Sequence, residues 1–222
     1  VRAVRQRESE RPLRVVVGVS DAMPKVVVSH ILEPLFRLGG RVRVICREDR
    51  ADRLLAALAV HEVDVVLADA PTPAHLRIRT FDHELGSCGV TLVAAPPLAR
   101  RLRRGFPASL EGAPLLVPGS GTTLRALVEM WCERHGVHPV VAAEFDDSAL
   151  AKEVAASGVG AMVVPSVIAK EVARRPGRRR VADLDGVEER FYAVSAERRI
   201  AHPAVRALAE SARSDLFSSD GG

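Results

Sequence analysis

This sequence of 222 residues lacks long apolar runs. The longest ones, such as residues 15–19 and 92–97, have the length of a strand, whereas a membrane-spanning helix needs roughly 18 apolar residues in a row. Residues 1–12, VRAVRQRESERP, contain neither the apolar segment nor the small-residue cleavage site of a secretory signal. The sequence therefore predicts no membrane span, and no secretory signal in these residues.

Cysteine is also scarce. Cys46, Cys88 and Cys132 are odd in number, far apart and set among apolar residues. A disulfide framework needs paired cysteines, and the small secreted domains that depend on one are richer in them. The three residues are therefore predicted to be small buried thiols in a reducing compartment, which indicates a cytoplasmic protein.

Sequence motifs of enzymes are missing as well. The seven histidines and three cysteines show no HExxH or CxxC spacing of a zinc site, and no G-x-S-x-G nucleophile motif occurs. The turn PGSGTT at residues 118–123 lacks the lysine of a phosphate-binding loop. We therefore predict no catalytic residue, no metal site and no cofactor. His61, His75 and His83 could titrate near neutrality and serve a pH response, although surface histidines without a role are more common.

Charge of one sign does not dominate. The sequence has 32 lysines and arginines against 28 acids, a net charge of +4. Basic residues cluster only at 100–104 and 174–180, and no aromatic residue lies within either cluster. For both clusters a solvated helix end or loop is therefore favoured over a phosphate-binding patch.

What the sequence does contain is a sustained alternation of short β-branched runs and amphipathic stretches, which is typical of an α/β protein with mainly parallel sheets. The predicted strands are residues 13–19, 41–46, 63–68, 78–81, 88–95, 115–117, 140–145 and 161–164, with others near Val181 and at 190–195. The predicted helices are residues 26–38, 50–60, 98–103, 124–135 and 148–157, one through Lys170, and 203–216. Two similar units joined at 94–97, with a return near 190–195, would form two lobes.

A resemblance to a known family supports this organisation. Residues 142–165, AAEFDDSALAKEVAASGVGAMVVP, resemble the effector domain of LysR-type transcriptional regulators, in which a strand, a polar cap and a helix precede a motif of the form aGlGvallP. The segments LRVVVGVSDAMPKVVVSHILEPLF, VDVVLADAP and SLEGAPLLVPGSGTTLRALVEMW are similar to other parts of that domain, so that the resemblance covers residues 13–216. SDAMPK, LADAP and ERFYAVSAERRIAHPAV resemble the NhaR-like branch, activators of sodium/proton antiporter genes.

The resemblance implies a type 2 periplasmic-binding-protein-like fold with two Rossmann-like lobes joined by two crossover strands. Lobe I would contain residues 13–95 and 192–216, lobe II residues 96–191, with 1–12 as the end of a linker helix or disordered and 217–222 as a tail. It also implies a small effector in the interlobe cleft and a homodimer or homotetramer that pairs helix 26–38 and strand 41–46 with helix 124–135. DNA would be bound only through an N-terminal helix-turn-helix domain, which is absent from this chain.

Candidate effector-binding residues lie in the turns that follow strands, because ligands of open α/β sheets bind beyond the carboxyl ends of the strands, near helix N-termini. In the first lobe these are Ser20, Asp21, Ala22, Met23, Asp69 and Ala70. In the second lobe they are Ser120, Thr122, Thr123, Asp146, Asp147, Ser148, Pro165 and Ser166. Each polar member also has the alternative role of a helix cap.

Four of these residues are aspartates, namely Asp21, Asp69, Asp146 and Asp147. Carboxylates disfavour an anionic effector and suit a hard cation or an amine. A sodium ion or a proton-linked signal is therefore one hypothesis, and the other is that the aspartates cap helices while an ordinary metabolite binds. Two further classes stay open: an extracytoplasmic solute-binding protein of a transporter, and an enzyme on the same fold such as a dehydratase of aromatic-acid synthesis.

Overall fold

The computed structural model of the chain describes residues 13–37, 42–198 and 202–217. These residues form two compact units. The first unit contains residues 13–23, 28–37, 42–86, 191–198 and 202–217, and the second contains residues 24–27 and 87–190. None of the helices among the described residues is long and apolar enough to cross a membrane.

Strands and helices alternate along the described chain. The strands are β1 (Leu13–Ser20), β2 (Val42–Asp49), β3 (Val65–Ala68), β4 (Phe81–Ala94), β5 (Pro114–Pro118), β6 (Val140–Phe145), β7 (Ala161–Pro165) and β8 (Arg179–Ser195). The helices are α1 (Lys25–Arg37), α2 (Ala51–Ala59), α3 (Pro96–Arg103), α4 (Thr123–His135), α5 (Ser148–Ala156), α6 (Ser166–Arg174) and α7 (Pro203–Ser211). A 3-10 turn lies at Ala108–Leu110, and a π-helical turn at Ala212–Leu216 continues α7.

The strands are hydrogen-bonded in the order β2-β1-β3-β8-β4-β7-β5-β6. In the first unit β1 is parallel to β2 and β3, and β3 is antiparallel to β8. In the second unit β5 is parallel to β6 and β7, and β7 is antiparallel to β4. Since the carboxyl ends of neighbouring parallel strands lie at the same edge of a sheet, each unit gathers three strand ends at one edge. In the second unit all three are followed by helices, whereas in the first unit β1 and β2 are followed by helices and β3 by a loop that leads to β4.

Each unit has its own apolar core. In the first, Leu54, Leu55 and Leu58 of α2 pack with Val16 and Val66 from the sheet, as their helical spacing predicts. In the second, Trp131 of α4 is 1% exposed within a cluster that includes Leu102, Leu110, Leu115 and Val163. Two separate cores are what the paired α/β units of the sequence require.

The prediction of separate strands at 78–81 and 88–95 is wrong, because β4 runs without a break from Phe81 to Ala94. Gly86 lies within this strand. Its φ is 151°, and a Cβ atom there would lie 2.4 Å from Cβ of Phe217, so the strand passes beneath that side chain only because position 86 has none. The ring of Phe217 in turn stacks on Phe191, with centroids 5.3 Å apart.

Strands near Val181 and at 190–195 are likewise a single strand, the 17-residue β8. β4 and β8 each contribute residues to both units and are the two crossover strands. Leu38, Gly39, Gly40 and Arg41, with which the sequence analysis ends the first helix and begins the next strand, lie outside the described residues.

The prediction that all three cysteines are buried is wrong for two of them. Cys88 is buried, Cys132 is half-buried and Cys46 is exposed. Cys46 belongs to β2, the outermost strand of the first unit, and is exposed together with the two residues that follow it. An apolar sequence neighbourhood does not distinguish an edge strand from a central one.

Candidate functional site

Three polar turns meet at one edge of the second unit. The parallel strands β6, β5 and β7 are neighbours in that order, and they end at Phe145, Pro118 and Pro165. The eight candidate residues of the second lobe all lie in or beside the turns that follow, which are Ser120, Thr122 and Thr123 after β5, Asp146, Asp147 and Ser148 after β6, and Pro165 with Ser166 after β7.

The turns after β5 and β6 are bonded to each other. The N–H of Gly119 donates to the carbonyl of Phe145 at 2.9 Å, and the N–H of Ser120 donates to Oε1 of Glu144 at 2.7 Å. The carboxylate of Asp146 covers Gly119 so closely that a Cβ atom there would lie 2.2 Å from Oδ1. The two turns therefore form one surface, and glycine at 119 is what allows it.

Thr122 caps α4. Its Oγ1 accepts a hydrogen bond from the N–H of Arg125 at 3.3 Å and donates one to the carbonyl of Gly119 at 3.0 Å. The guanidinium of Arg125, whose side chain is 18% exposed, lies 3.6 Å from a carboxylate oxygen of Glu144 and also pairs with Glu129. Thr123 is the first residue of α4 and is half-buried. The hydroxyl of Thr122 is thus committed to a structural role, and the edge contains a basic group that the sequence analysis missed.

Asp147 caps α5. Its Oδ1 accepts a hydrogen bond from the N–H of Ala149 at 2.8 Å, and its side chain is otherwise exposed. Asp146 beside it is exposed as well. The capping alternative is thus correct for Asp147, and capping leaves the second oxygen of a carboxylate available to another partner.

Lys152 is the most unusual residue near these turns. It is only 7% exposed, and its Nζ lies 3.4 Å from Oγ of Ser148, one helical turn earlier. Burial lowers the pKa of Lys152, and the charge of Arg178 lowers it further, while Asp147 acts in the opposite direction. Ala151, Lys152 and Ala155 are all buried on one face of α5, but alanines at helical spacing do not by themselves indicate that the lysine between them is buried.

Arg178 is a second buried basic residue, and it is hydrogen-bonded to the backbone of Lys152. Its side chain is 4% exposed, its Nε donates to the carbonyl of Lys152 at 2.8 Å, and its Nη2 pairs with the carboxylate of Glu153. The prediction of a solvated loop at 174–180 is therefore wrong at Arg178. A guanidinium provides five donors. Through Nε and Nη2, Arg178, the residue before β8, is hydrogen-bonded to α5.

The first unit gathers its own turns at the ends of β1, β2 and β3. Ser20 is 1% exposed, and its carbonyl accepts from the N–H of Met23, which is also buried. Asp21 is exposed, its N–H donates to the carbonyl of Asp49, and its Oδ1 accepts from the N–H of Ala22 at 2.9 Å. Asp69 is 9% exposed directly after β3, and Ala22 and Ala70 are half-buried.

Within the described part of the chain, no three histidine, cysteine, aspartate or glutamate side chains come together as a set of metal ligands. Asp21 and Asp69 of the first unit lie in separate turns, after β1 and β3, whereas Asp146 and Asp147 of the second unit share the turn after β6. Among the four, the capping contact of Asp147 and the local contact of Asp21 are each made by one carboxylate oxygen.

The model of the LysR substrate binding domain matches residues 8–216. This chain belongs to that family. Its relatives include the transcriptional activator protein NhaR of Escherichia coli K12, with 31% identity over 202 residues. That match covers 91% of this chain and 66% of NhaR, so the chain spans slightly less than two thirds of its relative.

Solved structures of the same fold agree with this family. CbnR, a LysR family transcriptional regulator, superposes with a TM-score of 0.72 at 14% identity, over 96% of this chain and 73% of CbnR. A sulfate-bound regulatory domain of an OxyR2 mutant from Vibrio vulnificus gives 0.69 at 15% identity, over 92% and 96%. The LysR-type, periplasmic-binding-protein-like α/β fold is therefore confirmed. Since the family consists of transcriptional regulators, the prediction that this is not an enzyme is confirmed as well.

Proposed function

We propose that this chain is the effector-sensing domain of a LysR-type transcriptional regulator. The observation that carries the proposal is the edge of the second unit, where three parallel strands end in polar turns and the turns after β5 and β6 are hydrogen-bonded to each other. Such an edge offers helix N-termini and side-chain oxygens to a small molecule or ion. The effector binds at the strand-end residues named above, and its binding changes the conformation of a DNA-bound oligomer.

DNA contact in the full-length regulator belongs to a separate N-terminal helix-turn-helix domain, as is usual in this family. The relative NhaR is a transcriptional activator, and activation is the role that we propose for this regulator too. A solute-binding protein of a transporter shares the fold, but the 31% identity to an activator over 91% of the chain favours regulation.

Assembly is proposed to be a homodimer in which α1 and β2 of one copy pack against α4 of the other. Phe36 on α1 is 62% exposed and Met130 on α4 is 57% exposed. In the edge strand β6, which follows α4 in the chain, Val140 and Val141 are also exposed, at 58% and 50%. Exposed apolar side chains on an edge strand are expected to be covered by a partner.

For the effector we propose a sodium ion whose binding is linked to a proton on Lys152. Below its lowered pKa the buried ammonium of Lys152 lies near Asp147 and repels a cation. Arg178, Arg175 and Lys25 add to the positive potential around the lysine, and Asp147 opposes it. When the pH rises and Lys152 loses its proton, Asp146 and Asp147 attract a cation more strongly. Sodium and the proton therefore compete, and sodium binds better under alkaline conditions.

Isothermal calorimetry with sodium chloride, against a choline chloride control of equal ionic strength, tests this at pH 7 and at pH 10.5, the ordinary pKa of a lysine. We expect tighter sodium binding at the higher pH, and no such difference in Lys152→Met, whose side chain has a similar length and no charge. Lys170→Met, which removes a surface lysine of the same unit, should behave as the unaltered chain. Binding of an organic acid together with no sodium response at either pH would eliminate the cation hypothesis and leave a metabolite sensor.

A further inference from the structure

The second unit contains a pocket along one side of α6. It has a volume of about 450 Å³ and is lined by residues of α6, β4 and β8. Ser166, Ala169 and Ala173 of α6 follow one another at intervals of three and four residues, so they share one side of the helix. Their side chains are short, which leaves space beside the helix. Of the candidate effector residues, this pocket contains Ser166 alone.

Three cationic side chains surround this space. Lys170 and Arg174 contribute from α6 and Arg180 from β8. Neither Lys170 nor Arg174 has an ion pair with any described residue, whereas the next arginine, Arg175, pairs with Glu171 at 3.8 Å. Two cationic groups at one opening therefore have their hydrogen-bond donors available.

The single acid of the pocket, Asp183, is already engaged. Its Oδ1 accepts a hydrogen bond from the hydroxyl of Thr91, which is 1% exposed, at 2.7 Å. The guanidinium of Arg180 reaches both carboxylate oxygens. Burial alone would raise the pKa of Asp183, but the hydrogen bonds from Thr91 and Arg180 outweigh it and hold the pKa below its ordinary value. Three cations against one anion leave the pocket with two net positive charges.

The two basic clusters of the sequence also meet here. Nη2 of Arg103, on α3, donates to the carbonyl of Arg180. Arg100 lies three residues before Arg103 and so shares its side of α3. Two further guanidinium groups on this surface strengthen the positive potential around the pocket, and their range is about 10 Å at moderate salt.

We propose that this α6 pocket binds a small organic anion, with its apolar body against Ala169 and Ala173 and its carboxylate or phosphate against Lys170 and Arg174. The volume lies within the range of small-molecule sites, which are mostly apolar with a few polar groups that fix orientation. Arginine matches the geometry of such anionic groups by donating two parallel hydrogen bonds. The site shares only Ser166 with the strand-end candidate residues and does not depend on the identity of the effector that binds there.

Phenyl phosphate is a suitable probe, because it combines an apolar ring with a dianion. Titration of the whole chain by calorimetry, with inorganic phosphate as the comparison, should show phenyl phosphate binding more tightly. Arg174→Gln should weaken its binding about tenfold, since a charge-assisted contact is lost. The matched variant Arg175→Gln removes the same charge from the same helix end without lining the pocket, and should change binding less than twofold. Ala173→Leu should weaken binding without any change in charge.

Two outcomes would overturn the proposal. Equal losses in Arg174→Gln and Arg175→Gln, with none in Ala173→Leu, would mean a diffuse basic surface rather than a pocket. Absence of phenyl phosphate binding, together with retention of a duplex of arbitrary sequence that Arg174→Gln abolishes, would instead identify a surface for nucleic-acid phosphates. Circular dichroism of each variant checks that the chain is folded, and Arg174→Gln, at an exposed position, keeps the test valid if Ala173→Leu does not fold.

Discussion

The imidazole of His135 stacks on the indole of Trp131, with ring centroids 4.1 Å apart and 28° between the ring planes. Asp185 of β8 joins the two rings from one side. Its Oδ1 accepts a hydrogen bond from Nε1 of Trp131 at 3.1 Å and lies 3.3 Å from Nε2 of His135. The hydrogen bond from Trp131 is the main reason why the pKa of Asp185 is lowered, and His135 adds to it when charged. This contact ties α4 to β8.

The first prediction uses the fact that Trp131 is the single tryptophan of the chain. Because the imidazole of His135 is stacked on its indole ring, removing the imidazole should change the intensity of the tryptophan fluorescence. We expect His135→Gln to differ in emission from the unaltered chain. His138→Gln, at an exposed position three residues away, is the matched control, and an equal change in both variants would mean that the stacking is not responsible.

The second prediction concerns the buried Lys152. Its pKa in the folded chain is below the ordinary 10.5, so the unfolded chain binds more protons in the interval between the two values, and stability rises with pH across that interval. Replacing Lys152 with Met removes the cost of burying the charge. We expect a free energy of unfolding higher by about 1 kcal/mol at pH 7, and a difference that shrinks as the pH approaches 10.5. Urea unfolding at several pH values measures both. A variant that is less stable at pH 7 would contradict the expected sign.

The third prediction separates capping from sensing at Asp147. Asp147→Asn keeps an oxygen for the N–H of Ala149, so the stability of α5 should hardly change, whereas Asp147→Ala should cost about 1 kcal/mol. If the carboxylate also binds the effector, Asn should weaken the sodium response as much as Ala does. Thermal unfolding and sodium calorimetry on the same samples distinguish the two roles. A full sodium response in the Asn variant would leave Asp147 as a cap alone.

The fourth prediction tests the proposed dimer surface. Met130→Glu introduces a charge where the helices of two copies would meet, and should convert a dimer to a monomer in light scattering. Val60→Glu is the control, because Val60 is 66% exposed at the end of α2 and lies outside the proposed surface. A monomeric unaltered chain at high concentration, or equal dissociation by both variants, would contradict this arrangement.

The helices were largely predictable because their signals are local. Leu54, Leu55 and Leu58 recur at helical spacing, and all three are buried. The start of α5 at Ser148 follows a capping residue, Asp147, and agrees with its prediction to the residue. Such signals depend on neighbours three or four positions apart, which a single sequence contains in full.

The errors arose where distant residues decide the outcome. The strands predicted at 78–81 and 88–95 are one case, because a single sequence does not show that the side chain of Phe217 packs on Gly86 within β4. The buried Lys152 is another, because Arg178, the residue before β8, donates to its carbonyl from a distant part of the chain. Lysine and arginine are mostly exposed in proteins, so no local pattern indicates a buried pair of them.

Because the carboxylate of Asp146 lies against Gly119, the residue at position 119 determines where that carboxylate can lie. Any side chain there claims the volume that the carboxylate of Asp146 now fills, so Gly119→Ala shifts a candidate effector-binding group while every charge in the protein stays the same. If Asp146 contacts the effector as proposed, a larger residue in place of Gly119 would alter effector binding by moving a carboxylate rather than by replacing it.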